Sequence, residues 1–433
     1  MAPRPLLLAL RLCAGVLVLA LRLAAFGREG PLRWSAEAFQ PLTEKRLAAL
    51  PVAERVAWQA YWEESEARAR ALPVRSSKEI APSGPVAALP KGAARPKGLR
   101  LDAPAAWYAS TEAAALADRV VEWQSEAGGW TKGIDYYRAR PAADQVEVDV
   151  WSRGTFDNDA TTTELRFLAR AIAATADPVR SRPWREAFLR GLDYVCAAQY
   201  PNGGFPQIYP LAGGYHDAVT FNDSAMTYAL ELLRDVATGK GDFAFVPATQ
   251  REDAGRRLAR GVECILAAQI RRPDGRRTAW GQQHDPLTLQ PCAARNFEPI
   301  STCSSESAGV VALLMSLPDP SPAVTAAVEA AVVWLDHVAV TGVRWNRRAD
   351  TGSGLQVVPG APRLWARLYE IGSDRPVFGD RDRTIHFVVT EISPERRLGY
   401  AWYGNWPEAA IARHRNWQLQ LAKTAGAKPM PGK

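Results

Sequence analysis

A pattern that recurs three times constrains this chain more than any other feature. VEWQSEAGGWTKGID at 121–135, CAAQYPNGGFPQIYP at 196–210 and LAAQIRRPDGRRTAWGQQHD at 266–285 share one plan. Each runs from a helical stretch into Gln, a Gly-containing turn, an aromatic residue and a longer polar loop. The glutamines, Gln124, Gln199 and Gln269, lie 75 and 70 residues apart, which is the period of two helices plus their loops. A second helical run starts after each loop: FDNDATTTELRFLARAIAAT, FNDSAMTYALELLRDVA and STCSSESAGVVALLMSL. Between them stand PWREAFLRGLDYVCAAQ, EDAGRRLARGVECILAAQ and SPAVTAAVEAAVVWLDHVA, all apolar at helical spacing. Inner starts that alternate with outer returns close most simply into a ring. The expectation is an all-α-dominated toroid of about three helical hairpins, with few short strands. The long Gly/aromatic loops would gather at one end as a cleft.

The flanks read differently. Residues 1–26 have a positive start and an apolar run broken by Arg11 and Arg22. That fits an export signal, with a single membrane anchor as the alternative. The protein is therefore expected outside the cytoplasm, in the periplasm or beyond. Residues 27–72 contain TEKRLAAL and AERVAWQAYWEESEARARAL, one or two amphipathic helices, and 73–100 is a Pro/Gly/Ser-rich linker. The role of 27–100 is left open by the sequence, with spacing the main domain from a membrane as one role open to it. The main domain is expected over 101–422 and a flexible tail over 423–433. From 340 the chain is loop-rich, aromatic and basic, too polar to be all core, so it should cover the cleft end of the ring.

Composition narrows the partners. At 47% hydrophobic residues the chain can bury a core. Its net charge of +7 rests mostly on Arg, a side chain that grips carboxylates and phosphates in a planar fork. No zinc-finger spacing and no dense basic block points to nucleic acid. No C-x-x-C pair suggests zinc, and the pairing of Cys196, Cys264, Cys292 and Cys303 is left open. H-E-x-x-H, G-x-S-x-G and the P-loop are all absent.

The acidic candidates are Asp157, with Asn158 and Asp159, and Asp223, with Asn222. Each group stands at a helix start, where Asp and Asn commonly cap free N–H groups. Thr161 and Glu164 also match a capping box. Two such clusters on repeat-related starts equally form the oxygen-rich ligand set of a hard cation such as calcium. Among the basic residues, Arg295, Arg363, Arg367, Arg375, Arg381, Arg383 and Arg396–Arg397 are interleaved with Trp365, Tyr369 and Phe378. Singly each reads as an ion pair or a solvated face; together they suit an anionic sugar. His216 and His284 sit in the cleft loops and are candidates for substrate contact. Glu298 and Glu306 read as ion-pair partners of a nearby Arg.

FDNDATTTEL, QYPNGGFPQIYPLAGGYHDAVTFND, AWGQQHDPLTLQPCAARNFE, SSESAGV, PRLWARLYEI, FGDRDR and ERRLGYAWYGNW occur in this order. Over about 102–420 the chain thereby resembles the family 10 polysaccharide lyases, pectate lyases built on an (α/α)3-barrel-like toroid. The resemblance implies calcium-assisted β-elimination on polygalacturonate. It implies that Asp157 and Asp223 hold the calcium, and that Arg295 takes the C5 proton. Arg367 and Arg381 would bind uronate carboxylates, with Asn158 a further ligand at the substrate. A monomer is expected. Two other readings compete: a glycoside hydrolase on the same ring, with Asp157 and Asp223 as acid and base, and a non-catalytic carbohydrate-binding protein.

Overall fold

A computed structural model describes residues 32–34, 39–72, 98–138, 140 and 150–427. The expected signal or anchor at 1–26, the part of the expected linker from 73 to 97 and residues 428–433 of the expected tail lie outside the described residues. Eleven α-helices are present among those described. They are α1 (Glu44–Ala48), α2 (Val52–Ala71), α3 (Thr111–Trp123), α4 (Thr162–Ala174), α5 (Pro178–Ala198) and α6 (Ala225–Thr238). Then come α7 (Ala248–Ala268), α8 (Ser304–Met315), α9 (Pro322–His337), α10 (Pro394–Gly399) and α11 (Glu408–Ala427). The final helix thus runs through Ala427, past the point at 423 where a flexible tail was expected.

The inner helices are α4, α6 and α8, which touch side by side, while α3, α5, α7 and α9 return outside them. This is the helical toroid anticipated from the repeat. The inner helices bury Leu165, Phe167 and Leu168 on α4, Leu230 and Leu233 on α6, and Val310 and Leu313 on α8 in one continuous core. Arg166 of α4 pairs with Asp235 of α6 at 2.7 Å.

The recurring Gln has a single physical job. Gln124 Nε2 donates to Gly128 O (2.7 Å) in its own turn and to Ala187 O (2.8 Å) in α5. Gln199 does the same to Gly203 O (3.0 Å) and Arg257 O (2.9 Å) of α7. Gln269 repeats it on Thr278 O (2.9 Å) and Ala327 O (2.9 Å) of α9. Each buried amide therefore satisfies two backbone carbonyls and bolts one outer helix to the next. The turn after it must pass very close to the neighbouring helix. A Cβ on Gly203, whose φ is +92°, would lie 2.1 Å from Arg260 O. Gly203→Ala is expected to destabilise by about 2–4 kcal/mol through strain and overlap, seen as a lower Tm.

Outer and inner helices begin differently. Asp177 caps α5 by accepting from Val179 N and Arg180 N, and Ser321 caps α9, each with Pro at the first helical position. The inner helices α4, α6 and α8 start with no side-chain cap at Thr161, Ser224 and Cys303. The expected Thr161–Glu164 capping box does not form. Thr161 Oγ1 is instead drawn to Thr155 O (2.9 Å) and Trp130 N (3.0 Å), and Glu164 accepts from Tyr136 OH (2.7 Å).

The strands are short. Pairing joins 283–284 to both 219–220 and 291–292, 302–303 to 368–369, 365–366 to 403–404, and 378–379 to 384–386. The segment after 340 builds its own small core from Leu368, Phe378, Tyr400 and Trp402 and covers the loop end of the ring, as expected. All four described cysteines are free thiols. No described helix is long and apolar enough to cross a membrane.

The described part of 27–100, whose role the sequence left open, is packed on the ring. Residues 32–34 and 39–72 lie against the ring, with Leu42, Leu47, Trp58 and Tyr61 in its main core.

Candidate active site

The strain that inner helices carry at their starts is concentrated in two matching turns. Phe156–Asp157–Asn158–Asp159 and Phe221–Asn222–Asp223–Ser224 each form a single 3-10 turn before the helix. Asn158 (φ 51°, ψ 47°) and Asp223 (φ 51°, ψ 28°) occupy the same left-handed position, and Asp159 (φ 57°) and Ser224 (φ 61°) the next one. Left-handed backbone favours Asn and Asp among non-glycine residues. The two turns contact each other. In register, Asp157 therefore corresponds to Asn222, and Asn158 to Asp223. The pairing of Asp157 with Asp223 joins non-equivalent positions of the two turns, one carboxylate and one amide from each.

Neither acid acts as a helix cap. Asp157 is buried, takes its backbone hydrogen bond from N–H to Thr155 Oγ1 (3.0 Å), and pairs through its carboxylate with Lys132 Nζ. Asp223 Oδ2 accepts from Asn222 Nδ2 at 2.6 Å. Burial raises the Asp223 pKa, and the neighbouring Asp157 carboxylate raises it further, against Arg367 and Arg295. Two carboxylates pushed together in this way repel each other until a cation is shared between them.

These turns open into a cavity of about 360 Å³ whose walls include Gln207, Gln283, Arg295, Glu298, Arg367 and Tyr400. Arg295 makes a fork onto Glu298, Nε to Oε2 at 2.7 Å and Nη2 to Oε1 at 2.5 Å. Burial opposes the Arg295 charge, but the Glu298 fork outweighs it and raises its pKa. Arg367, only 12% exposed, donates to Glu306 Oε1 (3.0 Å) and Ser305 Oγ (3.2 Å). Burial lifts Glu306 to about 7, against the pull of Arg367. Both glutamates are thus the ion-pair partners expected.

Tyr400 stands between the two arginines, which lie 5.8 and 4.9 Å over its ring. Its hydroxyl donates to Glu298 Oε1 (2.8 Å) and accepts from Gln282 Nε2 (2.9 Å), which also donates to Asn222 Oδ1 (2.7 Å). A continuous hydrogen-bonded line therefore joins the second acidic turn to Arg295. Tyr400, Gln282 and Lys132 were not singled out from the sequence. The Gln282–Tyr400 bond spans 118 residues, and no local pattern reports such a contact.

His284 and Arg381 are not among the residues that line this cavity. His284 is 0% exposed; its Nδ1 bonds Leu289 O (2.8 Å) and its Nε2 accepts from Gly281 N (3.0 Å). Burial lowers its pKa to about 4, which with these two bonds fits a neutral, structurally held side chain. Arg381 lies on the rim, 60% exposed, forked onto Glu395 at 3.0 Å on both arms. It reaches the site indirectly, since Arg295, Arg381 and Arg396 all lie over Phe297, at 4.9, 5.5 and 4.3 Å. His216 is half-buried, bonds Gln207 Oε1 at 2.8 Å, and burial takes its pKa to about 4.

Among the described residues no three His, Cys, Asp or Glu side chains group as a metal cage. The donor set of the two turns is nonetheless all oxygen on its acceptor side. Two converging carboxylates flanked by amide oxygens fit a hard cation that takes its remaining ligands from water or an anionic substrate.

Comparison with known proteins places this geometry. A family model described as pectic acid lyase matches residues 124–411. A solved structure of a family 10 polysaccharide lyase from Cellvibrio cellulosa is 33% identical, covering 74% of this chain and 99% of its own, with a TM-score of 0.64. A structure of an aspartate-to-alanine mutant of family 10 polysaccharide lyase from Cellvibrio cellulosa, in complex with trigalacturonic acid, is 32% identical. It covers 72% of this chain and 97% of its own, with a TM-score of 0.63. A search among curated proteins found no match.

Proposed function

Because the chain belongs to the pectic acid lyase family and is a polysaccharide lyase acting on pectate, we propose that it cuts polygalacturonate by calcium-dependent β-elimination. The products are 4,5-unsaturated oligogalacturonates. The observation that carries this reading is that Asp157, Asp223, Arg295 and Arg367 line one cavity. The catalytic domain is read over 101–422. The leader-like residues 1–26 and a polymeric substrate support action outside the cytoplasm.

Asp157 and Asp223, with the amides of Asn158 and Asn222, would hold the calcium. Bound there, it draws off charge that develops on the uronate carboxylate as C5 loses its proton. Arg367 places a second positive charge at the cavity, and its partner Glu306 fixes the guanidinium in the wall. Arg295, in its neutral guanidine form, takes the C5 proton on a guanidine nitrogen and becomes a guanidinium. The released electron pair forms the C4–C5 double bond, the C4–O4 bond breaks, and O4 leaves to be protonated. Charge stabilised only as it develops speeds the step rather than the binding.

The Glu298 fork holds Arg295 protonated in the free site, so the base form is scarce at neutral pH. The rate should rise into the alkaline range. Glu298→Gln removes the charge that raises the Arg295 pKa, so the alkaline rise should move to lower pH. A pH profile of kcat/KM checks this; an unmoved rise means that another group titrates. The hydrolase reading is disfavoured because the Asp157 and Asp223 carboxylates lie within hydrogen-bonding reach of each other. Glycoside hydrolysis needs them about 5–9 Å apart across the bond. Polygalacturonate in calcium buffer should give a product absorbing in the near ultraviolet, and EDTA should stop its formation.

A further inference from the structure

The described residues 32–34 and 39–72 precede the 124–411 match to the family, yet they make ordered contacts with three loops that serve the cleft. In the first contact, Arg46 Nη2 donates to both carboxylate oxygens of Asp285, at 2.9 and 2.7 Å, both side chains largely buried. Asp285 Oδ1 in turn accepts from Leu287 N and Thr288 N, both at 3.0 Å. This shapes the loop that follows Gln282 and Gln283, and those residues hold Asn222 and line the cavity. The second contact is α2 on the 200–211 loop. Tyr61 OH donates to Ala198 O (3.0 Å), Ser65 Oγ accepts from Leu211 N (2.9 Å), and Trp58 and Tyr61 pack on Tyr200 at 5.2 and 4.9 Å. That loop presents Gln207 O to Phe156 N (2.9 Å) and Thr155 Oγ1 (2.8 Å), directly before Asp157. In the third, Leu32–Arg33 pairs with Thr384–Ile385, and Trp34 N donates to Arg383 O at 3.2 Å, beside the Arg381 rim.

One covalent segment thus ties together the supports of Asp157, of the Asn222–Asp223 turn and of the arginine rim. We infer that the described residues 32–34 and 39–72 are a positioning strap that sets the spacing of the three loops around bound polygalacturonate. The inference rests on the lyase reading for its activity readout. A strap that only stabilised the fold would lower Tm and the amount of active enzyme, and would leave the KM of the folded molecules alone. A strap that sets loop spacing acts on KM.

The test uses the full chain. Tyr61→Phe with Ser65→Ala removes two hydrogen bonds and keeps the aromatic packing, so the protein should fold. Arg46→Gln with Asp285→Asn replaces the buried ion pair by a neutral pair. Each double variant is expected to raise KM for polygalacturonate about 5-fold, with a kcat close to that of the parent. The affinity for trigalacturonate, measured by calorimetry in calcium buffer, should weaken to a similar degree. An unchanged KM and affinity in the folded Tyr61→Phe/Ser65→Ala variant overturns the strap, whether or not Tm falls. If the unaltered chain makes no unsaturated product, the lyase reading fails instead, and the calorimetric comparison alone decides on the strap.

Discussion

Arg295→Ala is expected to lose roughly 10²–10⁴-fold in kcat on polygalacturonate, the usual worth of a positioned general base, while keeping its affinity for trigalacturonate. The expectation follows from where the guanidinium sits. It is in the cavity wall, 40% exposed, aligned by Glu298 and by the rings of Phe297 and Tyr400. Arg367, by contrast, is buried on Glu306, an arrangement for holding charge in place. Loss of turnover with binding intact would also separate catalysis from the carbohydrate-binding reading. A variant that still turns over within a few-fold of the parent would move the base elsewhere.

Asp223→Asn should cost about 10²-fold or more at a calcium concentration that saturates the parent, the scale of a lost electrostatic anchor at a reacting centre. Asn is the substitution of choice because residue 223 sits at φ 51°, which Asn adopts readily and Ala does not. The variant isolates the charge from the backbone. Stability should move the other way. The folded pKa of Asp223 is raised by burial and by Asp157, so its ionised form is a penalty on the fold. That penalty is absent below the unfolded pKa and complete above the folded one. Neutralising the group at pH 7 relieves it, and Tm without calcium should hold or rise. Calcium should raise the Tm of the parent through preferential binding to the folded state, and should do so far less in Asp223→Asn. A calcium-induced Tm shift equal in both would remove Asp223 from the ion's ligands.

The repeat was readable because each Gln is obligatory in type and place. An amide must reach its own turn and the next outer helix at once, so residue and spacing are both fixed. The acidic pair was readable for the same reason, since strained turns select Asp and Asn. Its register was not, because the two turns exchange Asp and Asn between equivalent positions. His284 misled because burial of a loop histidine depends on strand 283–284 pairing on both sides, a tertiary event. The pairing of Arg381 was not legible because its partner Glu395 lies fourteen residues on, in α10. The strap was hidden because its attachments are single residues, Arg46, Tyr61 and Ser65, whose partners lie far along the chain. Amphipathic helices show that a face is buried; they do not show against what.

The central claim is elimination at a site shared by Arg295 and a calcium ion. Its most direct measurement follows one polygalacturonate digest by near-ultraviolet absorbance and by reducing ends together, in calcium and in EDTA. The account predicts one unsaturated end for every new reducing end in calcium, and neither in EDTA. Reducing ends that appear without absorbance, or cleavage that persists in EDTA, would contradict it.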